Sequence, residues 1–341
     1  RPHMTKKKRE ERTVRLGIIG AGLAVKLLHW PPLSRMPERF SVVAVADIDA
    51  NAALEVAGLA SGCRSTTDYH ELLASEDVEA VLVSLPIHLN AQVLAEAAIA
   101  GKHVLCEKPV GGNLQQAREV VSAVRDLPVV VAIAEQFHHR RDIRQAQAWI
   151  EEGRIGKPFL VDAWNRYWTD TRKGFGSTPW RQDSQYRGGA ITDAAVHQAA
   201  LLRHLGGEVE QLHAFTKLVH PELSGVDTMV LNLRYRSGVL GRFMFTAAAA
   251  EAGSPYMQAT VYGTEGTIVL EDGKLRLCGK DNARESQEYD TGEAFYDQLV
   301  NYHRAITVGE AVVSTPEEAL RDLEILMRAY DSAESRSVVL L

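Results

Sequence analysis

The chain is poor in cysteine, in long apolar runs and in basic excess, and each shortage removes a class of protein. Only three cysteines occur in 341 residues, Cys63, Cys106 and Cys278, widely spaced and with no C-x-x-C pair. That argues against a disulfide framework and a zinc–thiolate site, and it suits a reducing compartment. The twelve histidines include no H-E-x-x-H pattern, so no metal site is expected. No stretch approaches the roughly 20 apolar residues that cross a bilayer. The early apolar run at 16–19 is too short for a signal segment and is bounded by glycine. A soluble, cytoplasmic protein without a membrane partner is therefore expected. Lysine and arginine number 38 against 44 acidic residues, a formal charge of −6, which argues against a nucleic-acid partner. The one dense cationic run, Lys6-Lys7-Lys8-Arg9, reads as a solvated tail, and Arg1-Pro2-His3-Met4 as a non-native leader.

What is present is ordered alternation. At this length about two domains are expected. Short apolar strands at 14–19, 42–46, 78–84, 103–106 and 129–134 alternate with helical patterns at 24–29, 51–60, 68–74, 91–100 and 113–125. Trp30-Pro31-Pro32 is expected to end or kink the first helix, and Asn113 to cap the fifth. Strands that are apolar throughout, rather than alternating, belong in a parallel sheet covered by helices on both faces. The pattern then changes. A linking helix at 143–152 precedes a loop-rich aromatic and cationic stretch at 164–187, and one more helix spans 191–205. Alternating strands follow at 229–236, 239–245, 258–262 and 267–270, with Asp272-Gly273 as a hairpin turn. Helices at 293–306 and 316–332 close the chain. The fold class is α/β: a nucleotide-binding domain over 12–136 with a parallel sheet, then an α/β domain over 137–341 with a large, mostly antiparallel open sheet. The last helix has the option of packing back on the first domain.

Gly20-Ala21-Gly22 follows the first strand directly and runs into Leu23 and Ala24 at the start of a helix. Glycine permits the tight turn and lets backbone amides approach a pyrophosphate at the positive helix end. The third position of the pattern is Val25 rather than a small residue. Asp47 ends the second strand, where a carboxylate accepts hydrogen bonds from adenosine ribose hydroxyls and repels a 2′-phosphate. Ile48-Asp49-Ala50 supplies no arginine for that phosphate, so NAD is expected over NADP. Capping of the following turn is the plainer role for Asp47. Ser84 and Pro86, after the strand at 78–84, and Glu107 and Lys108, after that at 103–106, join the cofactor-facing set.

Lys108 stands in Glu107-Lys108-Pro109 at a strand's carboxyl end, where open α/β sheets bind ligands. Asp193 and His197 are four residues apart, so a helix sets them on one face. Such a pair also serves merely to stabilise a helix. With Gly17–Gly22, Gly101–Pro109, Glu135-Gln136-Phe137, Gly153–Pro158, Gly188–His197, Gly263–Gly266 and Pro316–Leu320, the chain resembles, over nearly its whole length, the glucose–fructose oxidoreductase / inositol dehydrogenase / MocA-like family. The resemblance implies a Rossmann domain joined to a domain whose open sheet forms a homodimer or homotetramer interface. It implies that Lys108, Asp193 and His197 meet beside a nicotinamide, with Trp180-Arg181 reaching toward cofactor and substrate. It also implies a polyhydroxylated substrate: a sugar, a cyclitol or a nucleotide-linked sugar. The family's usual histidine after the fourth strand is replaced by Asn90, with His88 nearby, and its Asn and Tyr or Phe after the sixth by Gln136 and His138.

Oxidation of a secondary alcohol needs a base for the hydroxyl proton, and histidine titrates in the right range. His197 is expected to act as that base, with Asp193 orienting it or binding substrate and Lys108 stabilising the developing alkoxide. A lysine-centred proton relay is the competing assignment. Arg166 and Tyr186 are expected to contact substrate beside Lys108, Asp193 and His197. Two alternatives remain in play: an NAD-retaining enzyme with a non-redox net reaction such as glycoside cleavage, and a non-catalytic nucleotide sensor.

Overall fold

The computed structural model describes residues 10–183, 185–251, 253–280 and 283–341. The cationic run at 6–9 and the leader at 1–4 lie outside them. Six strands, β1 Val14–Ile19, β2 Phe40–Ala46, β3 Arg64–Thr66, β4 Ala80–Val83, β5 His103–Glu107 and β6 Val131–Ala134, pair in parallel in the order 3-2-1-4-5-6. β4 and β6 are buried at every position, as helix cover on both faces requires. The order reverses between β1 and β4, so a crevice opens beyond their carboxyl ends. The helices of this half are α1 Trp30–Leu33, α2 Ala50–Ala57, α3 His70–Ala74, α4 Ile87–Ile99 and α5 Leu114–Val124. As expected, Asn113 caps α5, its side chain accepting from the Gln116 amide at 2.9 Å.

Of the two outcomes expected at Trp30-Pro31-Pro32, the helix is distorted and not ended: a π turn over Val25–His29 continues without a break into α1. Pro31 and Pro32 have no amide hydrogen to give the preceding turn, and the last bond before them is the wide one from the Trp30 amide to Val25.

The second half carries a nine-stranded sheet in the order 14-13-12-11-7-10-9-8-15. Its strands are β7 Pro158–Arg166, β8 Val209–Lys217, β9 Thr228–Tyr235, β10 Leu240–Thr246, β11 Met257–Gly263, β12 Gly266–Glu271, β13 Lys274–Gly279, β14 Arg284–Glu288 and β15 Val339–Leu340. All neighbours are antiparallel except β7 and β10. The central strand β7 covers the start of the stretch expected to be loop. Its Pro158, Asp162, Asn165 and Arg166 disguise an alternation in which Val161 and Ala163 face the core. The helices are α6 Arg141–Glu151, α7 Pro179–Gln182, α8 Gly189–Gly206, α9 Glu293–Val308 and α10 Pro316–Ser335. α8 packs beneath the sheet with α10, which also lies against α5 and β6 of the first half. No described helix is long and apolar enough to cross a membrane.

Candidate active site

The first strand delivers the chain to Gly20, whose φ of +94° suits glycine and whose added Cβ would lie 2.0 Å from the Ser84 carbonyl oxygen. The turn is therefore clamped between β1 and the end of β4. A Cβ on Gly22 would meet no protein atom within 4 Å, so the second glycine keeps open the space a pyrophosphate needs. Asp47, at the end of β2, accepts from the Ala21 amide at 2.7 Å and from the Asp49 amide at 2.9 Å. It thus braces the glycine turn while lining the same cleft. Asp49, rather than Asp47, caps α2.

That cleft holds about 800 Å³ and runs from the glycine turn to α8. Gly20, Gly22, Leu23, Ala24, Asp47, Ser84, Pro86, Glu107, Lys108, Trp180, Arg181, Asp193 and His197 all line it. These residues fit NAD: an open backbone cradle, an acidic side chain at the ribose position and an apolar flank at Leu85 and Pro86.

The helix bearing the other polar groups starts where it does for steric reasons. Gly188 has φ of +91°, and a Cβ there would fall 2.2 Å from the Tyr330 hydroxyl of α10 and 2.3 Å from Thr192 Oγ1. Those two hydroxyls bond each other at 2.8 Å. Asp193 and His197 then follow on the face turned to the cleft. Lys108 Nζ, from the residue just past β5, donates to the Asp193 main-chain oxygen at 2.6 Å and to its Oδ1 at 3.2 Å. Arg181 Nε donates to Asp193 Oδ2 at 2.6 Å. Burial alone would raise the Asp193 carboxyl, but the Lys108 and Arg181 cations outweigh it and hold it well below the usual range. Asp193 therefore stays ionised and holds two cations in place.

Asp193 does not orient His197. That role falls to Glu135, a buried carboxylate after β6, which accepts from His197 Nδ1 at 2.7 and 2.8 Å. The imidazole also stacks on Phe137, with ring centres 5.0 Å apart. With Nδ1–H committed to Glu135, Nε2 is the ring atom left to face the cleft as an acceptor. Glu107 is held by His29, whose Nε2 lies 2.6 Å from Oε1, and Glu107 Oε2 accepts from the Lys108 amide. Burial opposes ionisation of Glu107, but the His29 hydrogen bond and the nearby positive charges lower its pKa below the usual value.

Two residues expected at the substrate fall outside the main cleft. Arg166 lies off the cleft: Asn165 and Tyr167 line it, whereas Arg166 stacks over Trp164, 4.6 Å from the ring centre. Alternation along β7 forces that outcome. Tyr186 lines an adjoining cavity instead of the main cleft. Asn90 is buried, accepting from the Leu85 amide and donating to the Glu107 carbonyl, so it ties two strand-end loops together. Gln136 lines the cleft; His138 does not, and is bonded to Asp322 and His204. Among the described residues no cluster could hold a metal. His29 and Glu135 were absent from the expected site, and no local spacing links them to their partners 78 and 62 residues away.

Residues 14–135 match the oxidoreductase family with an NAD-binding Rossmann fold, and 143–269 match the GFO/IDH/MocA C-terminal domain. The uncharacterized oxidoreductase YrbE of Bacillus subtilis is 30% identical over 76% of this chain and 74% of its own length. The chain belongs to the Gfo/Idh/MocA family. Myo-inositol 2-dehydrogenase of Thermotoga maritima, a further relative, is 26% identical over 96% of this chain and 98% of its own. The crystal structure of an oxidoreductase from the same organism superposes with a TM-score of 0.89 at 28% identity, covering 96% of this chain and 98% of that one. As a Gfo/Idh/MocA protein, the chain is an NAD-dependent oxidoreductase.

Proposed function

We propose that this enzyme interconverts a secondary alcohol and a ketone on a sugar or cyclitol. Bound NAD supplies the hydride acceptor. Lys108 and His197 supply the polar chemistry. His197, with Nδ1–H on Glu135, takes the hydroxyl proton at Nε2, and the charge that develops on the ring is met by the Glu135 carboxylate. Lys108, held by Asp193, places a cation where negative charge grows on the substrate oxygen. In the reductive direction the protonated His197 returns that one proton to the substrate oxygen while Lys108 again stabilises its negative charge.

The observation that carries this reading is the shared cleft: one space touches the glycine turn, Lys108 and the imidazole. The relative acting on myo-inositol, spanning almost the whole chain, supports a polyhydroxylated ring. A spectrophotometric screen of inositols, aldoses, sugar acids and nucleotide sugars, with NAD and NADP in parallel, tests it. Lys108→Ala and His197→Ala are each expected to lower turnover about 10²–10⁴-fold while NAD binding, followed by calorimetry, persists. Near-normal turnover in both variants would overturn the assignment.

The family's tendency to associate has a local counterpart. Phe215, Val230, Met244 and Trp164 stand opposite one another across β8, β9, β10 and β7, on the face not covered by α8. Phe215 is 64% exposed. We infer that this row is buried in a homodimer or homotetramer.

A further inference from the structure

A second cavity of about 440 Å³ adjoins the cleft, within the size range of small-molecule sites. Tyr167, Phe175, Arg181 and Asp193 face both spaces, so the division between them is made of side chains. From this we infer that the cavity is a subsite for a second sugar ring, and that the substrate is a glycoside or disaccharide. The inference rests on the dehydrogenase reading above: the reacting ring lies against Lys108 and His197, and the other lies beyond Arg181.

Two observations support this. First, the outer cavity is faced with aromatic rings. Trp168 is 45% exposed, yet its position is fixed, because the indole lies 4.2 Å from the His220 ring and Trp168 bridges to Ala248. An indole braced in this way while lining a cavity offers an apolar surface to the C–H face of a pyranose, and Tyr186 lines the same space. Second, Arg181 is a fixed fork at the junction. Its Nε bonds Asp193, its Nη1 bonds Thr178 Oγ1 at 3.1 Å, and its guanidinium lies over Trp180 and Phe175 at 4.0 and 5.1 Å. Of its five N–H groups, the others have no acceptor among the described residues. They are placed to donate to hydroxyls, or to a bridging oxygen, on either side.

The test follows NAD reduction by the full chain with glucose and myo-inositol, and with methyl glucoside, maltose, cellobiose and trehalose. At least one two-ring compound is expected to exceed its component monosaccharide in kcat/KM by about tenfold or more, the scale of one stacked ring. Trp168→Ala is expected to lower the two-ring to one-ring ratio of kcat/KM by a similar factor, and Trp168→Phe to restore most of it. If monosaccharides are the better substrates, or if Trp168→Ala moves both classes equally, the subsite is refuted while the dehydrogenase reading stands. If no compound reduces NAD although NAD binds, the dehydrogenase reading itself fails and the subsite falls with it. A nucleotide sugar that outperforms every two-ring compound likewise refutes a second pyranose in the cavity.

Discussion

At the scale of single residues, the chemistry depends on which nitrogen of His197 carries the proton. Glu135 decides this, because an ionised carboxylate can only accept. Glu135→Gln keeps the shape but gives up the charge that stabilises the protonated ring. It is expected to lower kcat by about 10–10³-fold with NAD affinity kept. An unchanged kcat would reduce Glu135 to packing. Asp47→Ala removes the carboxylate proposed to accept from the ribose and, with it, the brace on the Ala21 amide. NAD affinity should fall about tenfold or more and the preference over NADP should narrow, as read from paired KM values. Lys108, Asp193 and His197 were legible in the sequence through the family-like motifs that carry them; a strand end and a four-residue helical spacing alone fit a solvated lysine and a helix-stabilising pair equally well. Glu135 and His29 were not, since each meets its partner only after the sheet and α8 have closed on each other. Arg166 was misplaced for a different reason. Composition shows that a stretch is rich in donors; only the strand's phase shows which of them point inward.

At the scale of elements, two features carry consequences. The first is the double glycine before α8. Gly188→Ala combines a φ of +91° with a clash against Tyr330 and Thr192, so a loss of at least about 1–3 kcal/mol is expected, visible as a lower thermal midpoint. Turnover should fall further than stability requires, because the same turn sets the height of Asp193 and His197. The second is the polar seam of His138, His139 and His204 between the 136–139 turn, α6 and α8. Burial, assisted by the neighbouring His138, holds His139 down to about 3 and His204 down to about 4. Both are therefore neutral when folded but protonate near 6.5 when unfolded. Acidification from pH 7 to 5 should cost roughly 2–4 kcal/mol from these two groups, measured by urea denaturation. His138 acts in the opposite sense. Burial lowers it, but Asp322 more than compensates and leaves it raised, so its contribution is full below about 6.5 and fades as pH climbs through its folded value. The parallel sheet was legible because strands buried on both faces leave uninterrupted apolar runs. β14, with the sequence Arg-Glu-Ser-Gln-Glu, was not, because a solvent-flanked edge strand needs no apolar residue. β3 was missed on the same ground.

At the scale of the whole molecule, the exposed row on the nine-stranded sheet predicts self-association. Phe215→Glu should shift the species seen by analytical ultracentrifugation toward monomer without changing the far-ultraviolet dichroism. A monomeric wild type would remove the premise. The two-part architecture itself was legible from the change between continuous and alternating strands, whereas the pairing order of nine strands depends on contacts too distant along the chain for any local pattern.

The bond from the Lys108 amine to the main-chain oxygen of Asp193 joins the residue just past β5 of one half to α8 of the other. Its consequence is that competence belongs to the seam. A change far from the cleft that spreads the halves, for instance at Arg118 and Glu324 where α5 meets α10, can uncouple the amine from its clasp while each sheet stays folded and the nucleotide stays bound. Inhibitors wedged into that joint would silence the enzyme without competing for either ligand.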